Sequence, residues 1–313
     1  MDHFHTNKGE FATMSVDNLQ PAALANASML TQPCLPPCPR AKEDQIQENL
    51  IAYYRLFAGL PGVTFVEGDV TWVASTGVPG NQILRTRLPE QLDPSPLDQR
   101  IDELIRQIGQ STDAMDWFVF PSCQPIGLGE RVAVRGLAGG PDGAWTLVGQ
   151  IGGPGGNWML ADLTALVPAP AVDEQFHIKF VDNPVMLEAW RQISAEGFGG
   201  GEYQNFYAAY ARHGFGPDAF SLHYIGYLGE TPVTSSTLLL AGGIAGIFDV
   251  STPIACRHQG FGSAISWAML QEAQRRGYAD AFVWSSNMGK GVYPRAGFVP
   301  VELGLREYQW QKR

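Results

Sequence analysis

The chain has 313 residues, about two domains' worth at roughly 150 residues each; 45% apolar and 17% charged residues supply a core and exclude a disordered protein. Thirty-one acidic against 21 basic residues leave a net charge of −10, and the scattered bases exclude a nucleic-acid clamp. The longest apolar run, Leu238 to Ile247, is too short for a membrane span, the first residues lack a signal-peptide pattern, and the 4 cysteines form no disulfide framework.

Residues 1–42 are rich in Asn, Gln, Ala, Ser and Pro, with no sustained period, and are expected to be a disordered leader. Cys34, Cys38, His3 and His5 match no structural zinc spacing, so no metal is expected. Order is expected from Glu43, where Ile46, Leu50, Tyr53, Tyr54 and Phe57 recur at helical spacing until Gly59. Strands are expected over Val63–Ser75 and Gln82–Leu88, and an amphipathic helix over Leu97–Ile108. Trp117–Phe120 reads as a buried strand, Leu128–Leu137 as a helix and Trp145–Ile151 as a strand. The following glycines, 152–156, lack the Lys of a nucleotide-gripping loop and read as a turn.

Pro168 and Pro170 mark a linker over 166–172 between units 43–165 and 173–313. The second unit repeats the order of the first, which suggests a duplication. Helices Pro184–Ser194 and Tyr203–His213 precede strands Ser221–Tyr227, Val233–Leu240 and Ile244–Val250. A long helix, Gly262–Arg276, is followed by strand Ala281–Trp284, helix Gly289–Ala296 and an end strand from Phe298. The abundance of turns, from 36 Gly and 22 Pro, suits α/β or α+β architecture.

The segment Asp249-Val250-Ser251-Thr252-Pro253-Ile254-Ala255-Cys256-Arg257-His258-Gln259-Gly260-Phe261-Gly262-Ser263 runs from strand to helix through two glycines. Gly260 and Gly262 admit close backbone approach, and the first helical amides have no intrahelical partner. Such an end is an anion site, here for a phosphate or diphosphate. No Lys follows Gly262, and Ile265 stands where a dinucleotide fingerprint needs glycine. What remains, Arg257-x-x-Gly260-x-Gly262, resembles the R/Q-x-x-G-x-G/A signature of the GCN5-related N-acetyltransferases (GNAT). The downstream stretch from Ser286 to Phe298 resembles that family's closing segment, with Tyr293 four residues before Gly297-Phe298.

The resemblance covers 172 onward; 43–165 looks like a degenerate copy lacking both the loop signature and the tyrosine. It implies two tandem GNAT-like domains, each a mixed, mostly antiparallel twisted sheet flanked by helices, with a V between two central parallel strands. It also implies acetyl-CoA as acyl donor: the Val250 amide toward the thioester, Ser251 and Thr252 along the pantetheine arm, and the main chain of His258, Gln259, Gly260, Phe261, Gly262 and Ser263 on the diphosphate. Arg257 would add positive potential, and Asn287 is counted among the coenzyme positions. Pro253 has no N–H to offer. Tyr293 is the expected general acid, with a core role against Phe298 as the rival reading. The base is open among Glu196, Glu202, His223, Asp249 and a water chain, since Gly246 stands where some members carry glutamate. Phe198, Tyr203 and Phe206, around glycines 199–201, could wall an acceptor pocket under a mobile lid, or that loop could be plain. Cys256 and Cys123 read as inert thiols.

The expected activity is transfer of acetyl from acetyl-CoA to a small amine-bearing metabolite, amino acid or antibiotic-like compound by direct attack. The alternatives are a protein N-terminal or lysine acetyltransferase, and a non-catalytic acyl-CoA sensor. A cytoplasmic monomer or homodimer without membrane or nucleic-acid partners is expected.

Overall fold

A computed structural model describes residues 40–77, 79–89, 94–152, 157–200, 203–216 and 218–313. The expected leader lies almost wholly outside them, as do Cys34 and Cys38, Gly201 and Glu202.

The first half runs α1 (Arg40–Arg55), β1 (Val63–Val66), β2 (Val70–Ser75), β3 (Gln82–Thr86), α2 (Pro94–Ile108), β4 (Ala114–Val119), α3 (Leu128–Leu137), β5 (Trp145–Gly152) and β6 (Trp158–Asp162). The second runs β7 (Phe176–Phe180), α4 (Pro184–Gly197), α5 (Gln204–His213), β8 (Ser221–Leu228), β9 (Thr231–Ala241), β10 (Ile244–Ser251), α6 (Phe261–Arg275), β11 (Asp280–Trp284), β12 (Val299–Pro300) and β13 (Arg306–Lys312). Three expectations are corrected. The single strand expected over Val63–Ser75 is a hairpin, because Gly68-Asp69 turns the chain and pairs Val66 with Trp72. The expected closing helix from Gly289 is only a 3-10 turn over Tyr293–Ala296, with Pro294 in its first positions and left-handed Gly297 closing it at φ 105°. β6 was not expected as a strand; its alternating side chains send Trp158 and Met159 into different cores.

The strands form two mixed sheets, in the orders β1-β2-β3-β4-β13-β5 and β12-β6-β11-β10-β9-β8-β7. The sheets exchange strands across the linker. β6, from before it, pairs antiparallel with β11 over Asp162↔Asp280 to Trp158↔Trp284. β13, the last strand, lies between β4 and β5 and pairs antiparallel with both. Its Tyr308 and Trp310 are buried in the larger core, which also contains Trp190 and Tyr210 of the second half.

Alternation along β8–β11 sends Ile225, Leu239, Ile244 and Phe282 to that larger core and Leu222, Leu238, Ala245 and Val283 to a second core beneath α6. Helix α1 packs on the former face. Asn49 Nδ2 donates to the carbonyl oxygens of Leu239 (3.3 Å), Ala241 (3.0 Å) and Ile244 (2.9 Å), and Lys42 pairs with Asp280. A Cβ on Gly246 would lie 2.4 Å from Phe248 and 2.5 Å from Asn49 Oδ1, so the glutamate some GNAT proteins carry there has no room beneath α1.

Each sheet has one pair of adjacent parallel strands. In the first, β3 and β4 register at Gln82↔Asp116 and Ile83↔Trp117 and then part. The gap closes on itself: Trp117 Nε1 donates to Thr86 Oγ1 at 3.1 Å, and Arg87 bridges Gln124 in parallel. Gln124 N donates to Thr86 O and Leu88 N to Gln124 O, so main chain fills the opening.

Two carboxyls, the buried Glu307 and the half-buried Asp116, meet where the exchanged strand joins β4. Burial drives Glu307 up to about 8 and Asp116 to about 6, with Asp116 adding to the rise at Glu307. Both lie above their unfolded values of about 4, so folding favours their protonated forms. The stability they contribute is complete at about pH 4 and is lost as pH rises through 6 and then 8. Glu307→Gln is therefore expected to match the parent at pH 4 and to exceed its stability at pH 9 by roughly 2 kcal/mol in urea unfolding. A stability difference between Glu307→Gln and the parent that stays the same from pH 4 to pH 9 would refute this.

Candidate active site

The second parallel pair stays open. β10 and β11 register at Ala245↔Ala281, Gly246↔Phe282 and Ile247↔Val283, and β10 continues to Ser251 without β11. On its other edge the register with β9 jumps from Phe248↔Thr237 to Ser251↔Ser235, leaving Asp249 and Val250 unmatched. Asp249 has φ 53°, a left-handed value for a residue with a Cβ. A buried hydroxyl run on β9 supports the bulge. Thr234 Oγ1 donates to Ser251 O at 2.7 Å, and Ser235 shares a 2.9 Å hydrogen bond with Ser194.

The loop after β10 is tied down by Arg257. Its Nε donates to Thr252 O at 3.0 Å and its NH2 nitrogen to Gly197 O at 2.7 Å, while the NH1 nitrogen meets Met288 Sδ at 3.3 Å. The guanidinium is thus spent on holding the loop against α4 as well as lending charge. Ser251 Oγ donates to Ser194 O at 3.2 Å, and a Cβ on Gly197 would stand 2.1 Å from that hydroxyl.

Helix α6 opens onto the V. Gly260 is left-handed at φ 85° and no side chain caps the helix. The preceding His258, at φ 64°, is exposed together with Gln259, so their side chains leave the loop's main chain clear. Ala264 N donates to Gly260 O as the first intrahelical bond. Phe261 turns its ring inward onto Phe176, at 5.0 Å and 16°, and Ser263 Oγ donates to Val292 O at 2.8 Å. Only the main chain of these two residues can meet a ligand. Thr252 Oγ1 lies 3.0 Å from Thr234 Oγ1, and Val250 packs at the edge of the second core. Asn287 is exposed at the far rim, where it accepts from Asn157 Nδ2 at 3.3 Å.

Tyr293 is buried, its ring edge-on to Phe298 at 5.7 Å. Burial first, and then the charge of Asp249, push its phenol well above the ordinary value, so it stays protonated at neutral pH. Asp249 accepts from Tyr53 Oη at 2.8 Å and Tyr210 Oη at 2.6 Å. Burial raises the carboxyl's pKa, and the Tyr210 and Tyr53 bonds oppose the rise.

The other expected bases separate. His223 is fully buried between Ser221 and Thr237 and stacks 3.9 Å from Tyr210; burial lowers it to about 3, so it is neutral and outside the V. Glu196 is exposed on α4. Phe198, Tyr203 and Phe206 form one stack at spacings of 5.8 and 5.0 Å, with only Phe198 well exposed. Gly199 and Gly200 cap α4 through bonds from their amides to Glu196 O and Ala195 O, and the rest of the expected lid, Gly201, lies outside the described residues. Cys123 is buried and Cys256 half-buried, both free.

Sequence reasoning missed Tyr53 and Tyr210 as partners of Asp249. Each occupies a helical stripe indistinguishable from core, and Tyr53 is 196 positions away. Among the described residues no helix is long and apolar enough to cross a membrane, and no group of three or more His, Cys, Asp or Glu could hold a metal.

No family model and no curated protein matches the chain. Solved structures do. A GCN5-related N-acetyltransferase from Kribbella flavida is 15% identical, with a TM-score of 0.56 over 85% of this chain and 95% of that one. A tandem GNAT protein from the clavulanic acid biosynthesis pathway, described without AcCoA, is 14% identical, with a TM-score of 0.53 over 87% and 94%. A GCN5-related N-acetyltransferase from Sphaerobacter thermophilus is 14% identical, with a TM-score of 0.53 over 89% and 94%. The chain therefore has the tandem GNAT fold along most of its length.

Proposed function

We propose that the chain is an acetyl-CoA-dependent N-acetyltransferase for small amines, working through its second half. One observation carries this reading: β10 and β11 part after Ile247 and Val283, and the uncapped first turn of α6 faces the gap. The residues fit the coenzyme. A Cβ on Gly260 would come within 3.2 Å of Ala171 O, and one on Gly262 within 3.2 Å of Val292 and 3.8 Å of Thr252 Oγ1, so the loop packs this closely only with glycine at both positions. The first half has no comparable opening, since Gln124 occupies its gap.

Acetyl-CoA would supply an activated acetyl thioester. The main chain from His258 to Ser263 would bind its diphosphate as a helix N-terminus binds anions. Thr252 would meet the pantetheine arm, with Ser251 as the buried support of that strand end. The unmatched Val250 N–H would donate to the oxygen that gains charge during attack, an interaction worth about 3–4 kcal/mol in comparable sites. As the acceptor nitrogen bonds to the acetyl carbon and the carbon–sulfur bond breaks, Tyr293 would protonate the sulfur. The acceptor, entering as an ammonium, would lose one proton to water before attack and a second after it, and one of the two would return through water to Tyr293.

Calorimetry tests the cradle directly. Acetyl-CoA is expected to bind the full chain, and Gly260→Val, which forces a branched side chain to φ 85°, is expected to weaken it at least roughly tenfold. Thiol release with a panel of amines then separates an enzyme from a sensor. No heat with acetyl-CoA overturns the reading, and binding without turnover on any amine reduces it to a sensor.

A further inference from the structure

Asp249 is the one acid on β10, and it follows from the acetyl-transfer reading above that its surroundings bear on the acceptor. It stands two residues beyond Ile247, the last β10 residue registered with β11. Its φ of 53° is left-handed and strained for a residue with a Cβ, and the fold holds it there through Tyr53 of α1 and Tyr210 of α5. Both donors are neutral phenols, so the carboxylate's charge is solvated by the protein but not cancelled. Its field reaches further: it adds to the rise in the phenols of Tyr203 and Tyr293. Through Tyr210 Asp249 also adjoins the aromatic stack, since Tyr210 meets Phe206 at 6.0 Å and Phe206 stacks on Tyr203.

We propose that Asp249 anchors the ammonium of the acceptor, that Tyr53 and Tyr210 position it, and that the acceptor is a small primary amine with no carboxylate beside its nitrogen. An ammonium near Asp249 gains a counter-ion. An α-carboxylate on the same molecule would be pressed toward a like charge in a poorly hydrated cleft, which selects against amino acids. The apolar body of the amine has Phe198, the exposed end of the stack, to lie against. Tyr53 comes from the first half of the chain, so that half reaches the reaction through one hydroxyl.

Matched probes test this: 2-phenylethylamine and phenylalanine, which differ only in the carboxylate. The parent is expected to prefer the amine by at least roughly tenfold in kcat/KM. Asp249→Asn is expected to raise KM for 2-phenylethylamine at least roughly tenfold while calorimetric affinity for acetyl-CoA stays within about threefold. Tyr53→Phe keeps the ring and removes one hydroxyl; KM rises roughly three- to tenfold with kcat nearly unchanged. Calorimetric binding of 2-phenylethylamine, with and without CoA, should follow the same order and needs no turnover. Equal use of the two probes, an unchanged KM in Asp249→Asn, or no binding of 2-phenylethylamine each overturns the anchor. Failure of acetyl-CoA to bind overturns instead the acetyl-transfer reading, and the amine's binding to the free protein, lost or kept in Asp249→Asn, still decides the anchor.

Discussion

Replacing Tyr293 by Phe is expected to lower kcat for thiol release by about a hundredfold or more, the lower end of what a positioned general acid contributes. The substitution removes one oxygen and keeps the ring that packs on Phe298, so the fold and the affinity for acetyl-CoA should change little. A free thiol has a pKa of about 8.5 and a phenol about 10, so donation is uphill by roughly 2 kcal/mol before tuning. Burial and Asp249 raise the phenol further, which keeps the proton in place until a thiolate forms beside it. Single-turnover measurement separates this chemical step from product release. Unchanged turnover would return Tyr293 to a packing role against Phe298, and the cradle at α6 would be untouched.

Trp310→Ala is expected to cost about 3–5 kcal/mol in urea unfolding, a large share of the 5–15 kcal/mol typical of a folded domain. Trp310 is 1% exposed, and it sits on the strand that bridges β4 and β5. The core it fills includes α1, α4 and α5 as well as the first sheet, so the loss should lower the stability of both halves in one transition. Two separate transitions, with the second half unaffected, would contradict a shared core.

Much of this architecture is legible in the sequence because it is local. Helical stripes such as Ile101, Leu104, Ile105 and Ile108 mark α2, and Gly260-x-Gly262 marks a helix entry whose first glycine is left-handed in the fold. What stays hidden is long-range. Strands β6 and β13 look like ordinary neighbours of their own halves, and nothing in either names the sheet it joins. The role of Gly246 is also invisible until Asn49, nearly two hundred positions earlier, is seen against it. Asp249 could be singled out as an acid near the cleft, but its clamp depends on a phenol delivered by α1. The first half's failure to open is partly readable, in the missing glycine loop, and partly not. The Trp117–Thr86 bond and the Gln124 bridge that seal it are tertiary events.

The placement of β13 has a consequence for how the polypeptide is made. The first sheet has a vacant middle position until its final strand, ending at Lys312, arrives, so β5 has no neighbour while the remainder emerges from the ribosome. A protein of this length would ordinarily let its amino-terminal unit settle during synthesis. Here that unit waits for residues 306–312, and any nascent chain stalled before them is left with unpaired strand edges for chaperones or proteases to find.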